Sequence, residues 1–191
     1  MRLDGRIAIV TGAASGFGAG IARRFAEEGA RVVVNDLNES GAEAIAREIA
    51  GRGGNALACA GDVSRDADVA RLVQFALGQC GGLHVVVNNA GTTHRNQPML
   101  DVSEDLFDRI YQVNVKSLFL TAKHAVPHFR SQRDGVFVTI AILPSSLMLD
   151  ARVRCETTLR NPRTHARRNS PKRRCSRRPR GTTPARSRAN V

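Results

Sequence analysis

Thr11-Gly12-Ala13-Ala14-Ser15-Gly16-Phe17-Gly18 stands between the apolar run Ile7-Ala8-Ile9-Val10 and an Ala-rich stretch with helical periodicity. Glycines at a strand-to-helix turn let an anion approach the main chain, and the amides and dipole at the start of the helix attract its charge. The chemistry this predicts is capture of a dinucleotide pyrophosphate by Gly12, Gly16 and Gly18, with Ser15 and Phe17 in the same loop. A glycine pattern alone is a weak signal, and the bland reading is an Ala/Gly-rich turn without a ligand.

Asp36 closes the next apolar run, Arg31-Val32-Val33-Val34-Asn35. It lies roughly 20 residues past the glycine loop, where a carboxylate accepts hydrogen bonds from the adenosine ribose and repels a 2′-phosphate. Taken alone, such a carboxylate is more commonly a cap on the following helix. Asn88-Asn89-Ala90-Gly91 follows the run Leu83-His84-Val85-Val86-Val87, where its small residues allow close packing and its asparagines can satisfy backbone groups as the strand stops. Asn114, in Tyr111-Gln112-Val113-Asn114-Val115, has poor helix propensity, which points to a tertiary role.

Together the Thr-Gly-x-x-x-Gly-x-Gly loop, the Asn-Asn-Ala-Gly element and Asn114 resemble the short-chain dehydrogenase/reductase family, over roughly residues 1 to 141. The resemblance implies a Rossmann-type cofactor domain with Asp62 and Val63 beside the adenine and with Asn89, Ala90 and Gly91 along the cofactor. It implies that Asn114 helps hold a proton-relay water. In the family, NADP preference goes with Arg or Lys before the second glycine or after the second strand. Ser15 and Leu37 occupy those places, so NAD is expected over NADP. The implied activity is hydride transfer between nicotinamide and a small alcohol or ketone.

That reaction needs a Ser after the fifth strand and a Tyr with a Lys four residues on, because tyrosine titrates near pH 10 unless a cation lowers it. Ile142 occupies the serine position, with Ser145 and Ser146 nearby, and Cys155 and Leu159 stand at the expected Tyr and Lys offsets. The single tyrosine, Tyr111, is followed by Val115, so no Tyr-x-x-x-Lys occurs. Of the catalytic set only Asn114 remains, and the chain is expected to be inactive. Composition breaks at the same point. Residues 151–191 hold 14 Lys and Arg against one acid, Glu156, a net of +13, while residues 1–150 hold 15 bases and 16 acids. With no aromatic in this tail, 142–191 are expected to be disordered. A frameshift in a GC-rich gene accounts for both breaks and is the favoured reading. Moving the codons possible for Gly181-Thr182-Thr183-Pro184-Ala185-Arg186 by one nucleotide allows Trp-Tyr-Asn-Ala-Ser-Lys. The alternative takes Lys172-Arg173-Arg174 and Arg177-Arg178 as a nucleic-acid patch.

These residues need a scaffold. Apolar runs near 6–11, 31–36, 56–60, 83–88 and 135–141 alternate with helical patterns near 17–29, 38–51, 66–80 and 104–131. The pattern predicts an α/β, doubly wound parallel sheet of about five strands over 1–141, followed by the basic tail. The family order 3-2-1-4-5-6-7 would leave the fifth strand as an exposed apolar edge, and the long helix without the partner helix of the family interface, so family-type homo-oligomers are doubtful. His124 and His128 lie four apart without an evident third ligand, so no metal site is expected. Cys59, Cys80, Cys155 and Cys175 form no Cys-x-x-Cys pair, and no signal-peptide core or 18-residue apolar run is present. A cytoplasmic protein without a membrane partner is expected.

Overall fold

Alternating short apolar runs and amphipathic helices fold into a five-stranded parallel sheet in the order β3-β2-β1-β4-β5. The structure, a computed structural model, describes residues 1–95 and 97–141. The readings made on Ile142, Ser145, Ser146, Cys155, Leu159, Cys175 and the basic tail lie outside the described residues. The elements are β1 (Ile7–Thr11), α1 (Gly16–Glu27), β2 (Arg31–Asp36), α2 (Glu39–Gly51), β3 (Asn55–Ala60) and α3 (Asp66–Phe75), which continues as a π-helical turn Ala76–Cys80. They are followed by β4 (Val85–Asn88), α4 (Glu104–Tyr111), a π-helical segment Gln112–Lys116, α5 (Ser117–Gln132) and β5 (Val136–Thr139).

The two-residue period of the strands divides the core. Val10, Val32, Val34 and Val87 face α1 and α2, whose contacting positions are mostly alanines and isoleucines. Ile7, Ile9, Val33 and Val86 face the opposite layer, with Leu72 and Val73 of α3 and Ala125 and Phe129 of α5. Small residues on α1 let that helix lie close to the sheet, which brings its N-terminus over the end of β1. Full burial of each such valine or isoleucine stabilises by about 1.5–3 kcal/mol before entropy is counted. All five residues of β1 are buried, as expected for a strand covered on both faces. β5 is different: Val136 and Val138 are exposed, and among the described residues the strand pairs only with β4.

Two boundaries differ from the sequence expectation. The β4 ladder begins at Val85, paired with Ala8, so Leu83 and His84 precede the strand although both belong to its apolar run. The helical pattern of 104–131 is three consecutive segments rather than one regular α-helix, with the π-helical turn spanning Asn114. Such a widened turn frequently marks a functional position. Ser103 caps α4 by accepting the Leu106 amide at 3.3 Å, as its position suggested. Along the outside of this long helix Phe107, Tyr111, Val115 and Phe119 form an exposed row at four-residue spacing.

Candidate functional site

The carboxyl ends of β1, β2, β3 and β4 open on one cavity of about 530 Å³. That is the crevice where open parallel sheets bind ligands, and β1 to β4 are adjacent where the order reverses. The glycine turn contributes Gly12, Ser15 and Phe17 to its wall. Asp36 and Leu37 come from the end of β2, and Asp62 and Val63 from the end of β3. Asn89, Ala90 and Gly91 follow β4 along the same wall. Sequence reasoning missed Gly61, Ser64, Thr92, Arg109, Gln112, Val113 and Ile140, which complete the lining with Asn35. For Val113 and Gln112 the neighbouring Asn114 was a usable signal; Arg109 had none.

The turn is built for close approach. Gly12 adopts φ +64, and a Cβ there would meet the Ala90 Cα at 2.8 Å. A Cβ on Gly18 would lie 2.2 Å from the Gly12 carbonyl oxygen and 2.5 Å from Asn89 Nδ2, so α1 can begin here only with glycine. Ser15 is the N-cap residue of α1, yet its side chain makes no capping bond. The first amide bonded back into the turn is that of Ala19, which donates to the Ser15 carbonyl at 3.1 Å. The amides of Gly16, Phe17 and Gly18 therefore precede the helical ladder, an arrangement that can seat an anion.

Asp36 holds this turn in place. One carboxylate oxygen accepts the Ala14 amide at 2.9 Å and the other accepts the Asn38 amide at 2.9 Å. Capping of α2 falls to Asn38, whose side chain accepts from Gly41 at 3.1 Å, so Asp36 is a tie between two loops and not the helix cap. A second tie joins β1 to β4. The Thr11 hydroxyl donates to the Val87 carbonyl and accepts the amides of Asn89 and Ala90 at 3.1 and 3.0 Å. Asn89 Nδ2 returns bonds to the carbonyls of Thr11 and Gly12 at 2.9 and 3.1 Å.

Beside the end of β3, Asp62 accepts both the amide and the hydroxyl of Ser64, at 2.8 and 2.7 Å. Burial pushes its carboxyl up, but the Ser64 bonds and the charges of Arg65 and Arg109 overcome this and hold it below the ordinary carboxylate range. Asp62 is thus an ionised acceptor at neutral pH. Asn114 lies behind the wall, with its amide bonded to the backbone of one residue: Oδ1 accepts the Thr92 amide and Nδ2 donates to the Thr92 carbonyl, both at 2.8 Å. Its side chain fixes the loop after β4. His124, four residues from His128, pairs with Asp66 at 2.9 Å, as does Lys123.

The short chain dehydrogenase family model matches residues 6–146, three-quarters of the chain and all of this site. The chain belongs to the short chain dehydrogenase family. It is 56% identical over 141 residues to 4-formylbenzenesulfonate dehydrogenase of Comamonas testosteroni, covering 74% of this chain and 56% of that protein. It is 38% identical over 143 residues to 7alpha-hydroxysteroid dehydrogenase of Escherichia coli K12, covering 73% of this chain and 54% of that one. Among solved structures, hydroxysteroid dehydrogenase from Escherichia coli superposes with a TM-score of 0.70 at 38% identity, over 73% of this chain and 59% of the other. A 3-ketoacyl-(acyl-carrier-protein) reductase from Brucella melitensis, complexed with NADH, gives 0.68 at 42% identity, over 73% and 57%. The chain therefore spans about half the length of the curated short-chain dehydrogenases it matches. Members of this family are oxidoreductases that bind nicotinamide cofactors.

Proposed function

We propose that residues 1–141 form the NAD-binding half of an oxidoreductase acting on an alcohol or ketone, and that the 191-residue chain holds the cofactor without turning it over. The observation that carries this reading is the meeting of the glycine turn, through Gly12, Ser15 and Phe17, with the Asp36 carboxylate on the wall of one cavity. Gly12, Gly16 and Gly18 would admit the pyrophosphate, with Ser15 and Phe17 at its edge. Asp36 would accept the ribose hydroxyls and repel a 2′-phosphate, and Leu37 offers a 2′-phosphate no cation, which favours NAD over NADP. Asp62 and Val63 would border the adenine, and Asn89, Ala90 and Gly91 the remainder of the cofactor. Bound NAD supplies a hydride acceptor at the nicotinamide. This chain's own residues bind it and orient it.

Proton transfer is where the chain falls short. Tyr111 is an exposed residue of α4, and Val115 stands where a lysine would be needed to lower its pKa. Asn114 is what remains of the catalytic set, placed to order the loop beside a relay water. Buried, unpaired Cys59 and Cys80 suit a reducing compartment, and the cytoplasm is the proposed location. The test is a fluorescence titration of the full chain with NADH and NADPH, together with an assay over small secondary alcohols. The expected result is saturable NADH binding, weaker NADPH binding and no NADH production. Robust NADH production that Asn114→Ala abolishes would refute the inactive reading. A second function rests on the 151–191 charge of +13: nucleic-acid binding that weakens steeply with salt in the full chain and is absent from residues 1–150 would support it.

A further inference from the structure

The dinucleotide cavity is lined by two carboxylates, Asp36 and Asp62, and by one cation among the described residues, Arg109. Arg109 lies in the last turn of α4, four residues before Val113, so the two share a helix face, and both border the cavity. Among the described residues its guanidinium makes no hydrogen bond and no ion pair. Most other arginines near the sheet are committed: Arg23 to Glu48, Arg31 to the Cys80 carbonyl, and Arg71 to Asp68 and the Ala60 carbonyl. A guanidinium with no partner among the described residues, at the rim of a cavity proposed to take an aromatic, anionic ligand, is placed to meet that ligand.

The sheet order decides which part of the ligand it meets. If the pyrophosphate sits on the α1 amides and the ribose on Asp36, the base continues away from β1, toward the residues that follow β3. Those residues are Gly61, Asp62, Val63 and Ser64, and Asp62 is the carboxylate whose charge responds to Arg109. A planar guanidinium stacks on an aromatic face more readily than an ammonium does. We infer that Arg109 is a cofactor-binding residue whose guanidinium lies against the adenine ring, closing the base end of the cavity opposite Val63. It also keeps Asp62 compensated as an acceptor for the exocyclic amino group. This inference rests on the dinucleotide reading above.

The experiment compares the full-length wild type with Arg109→Ala, Arg109→Lys and Arg109→Glu. NADH binding is followed by fluorescence, adenosine binding by competition against NADH, and the ligand-free melting temperature serves as the folding control. Arg109→Ala is expected to raise the dissociation constants of NADH and adenosine by the same factor, about fivefold to tenfold. Arg109→Lys should fall between, and Arg109→Glu should be the weakest binder. Because the side chain has no partner among the described residues, the melting temperature should not move. A loss for NADH with adenosine unaffected would put the guanidinium on a phosphate and overturn the adenine assignment. Unchanged binding of both ligands in Arg109→Ala and Arg109→Glu would overturn it altogether. A wild-type chain that does not bind NADH would instead bring down the dinucleotide reading, and this inference with it.

Discussion

The Asp36 carboxylate carries two backbone amides, those of Ala14 and Asn38, before any ligand arrives. Its substitution is therefore expected to act on the loop as well as on the proposed cofactor contact. Asp36→Ala should cost about 1 kcal/mol of stability, because water can reach and partly satisfy the two freed amides. It should also weaken NADH binding about tenfold while narrowing the difference between NADH and NADPH. Paired melting curves and cofactor titrations check this: affinity lost with stability intact would mean that Asp36 serves the ribose alone. Asn114 teaches a related point. A side chain whose oxygen and nitrogen both hold Thr92 orders the loop after β4.

Between elements, one hydroxyl makes three of the bonds that join the carboxyl ends of β1 and β4. Thr11 is nearly fully buried, and its Oγ accepts two amides while donating to a carbonyl. Thr11→Val keeps the shape and removes all three bonds, leaving the Asn89 and Ala90 amides without that acceptor. The expected loss is about 2–4 kcal/mol, and Thr11→Ser should recover most of it by restoring the hydroxyl. Chemical denaturation of the three proteins measures the difference. A Thr11→Val protein as stable as the wild type would show that the Asn89 side chain alone secures the junction. This element also supports the site, because Asn89 and Ala90 form the wall that limits Gly12 and Gly18.

For the whole molecule, the strand ends opposite the cavity introduce a pH dependence. His84 Nδ1 accepts the Ile7 amide at 3.1 Å, the Ile7 carbonyl accepts the His84 amide, and the His84 carbonyl accepts the Val136 amide, so this residue joins β1, β4 and β5. Burial pushes the His84 pKa down, the Arg6 and His128 charges add to that, and Asp134 opposes it. The folded state therefore prefers neutral imidazole, which can accept the amide, while the unfolded chain takes up the proton near pH 6.5. The resulting stability is complete above about pH 6.5 and is lost as the pH falls below it, ahead of the carboxylates. Urea midpoints should drop between pH 7.5 and 5.5 in the wild type and drop less in His84→Asn, whose amide oxygen can still accept. Equal drops in the two proteins would remove His84 from the account.

The fold was legible because its signals are local and repeated. Apolar runs in β1, β2 and β4, the Ser103 cap and the glycine turn each state their own conformation, and their alternation leaves one economical topology. Gly12, Asp36, Asp62 and Asn89 on the cavity wall were legible for the same reason, each lying close to a strand end marked in sequence, whereas Gly61, Ser64 and Thr92 beside them carried no such mark. Tertiary structure decided what depends on neighbours distant in the chain. Arg109 reads in sequence as one more charge on an amphipathic helix, and only the fold brings it to the cavity wall that Asp62 also lines. The two ties at Asp36, the triple role of the Thr11 hydroxyl and the grip of Asn114 on Thr92 join positions 22 to 79 residues apart or differ from the nearest local alternative. A hydrogen bond is satisfied by whichever partner the packed backbone presents, so sequence can mark the polar residue while only the fold chooses its partner.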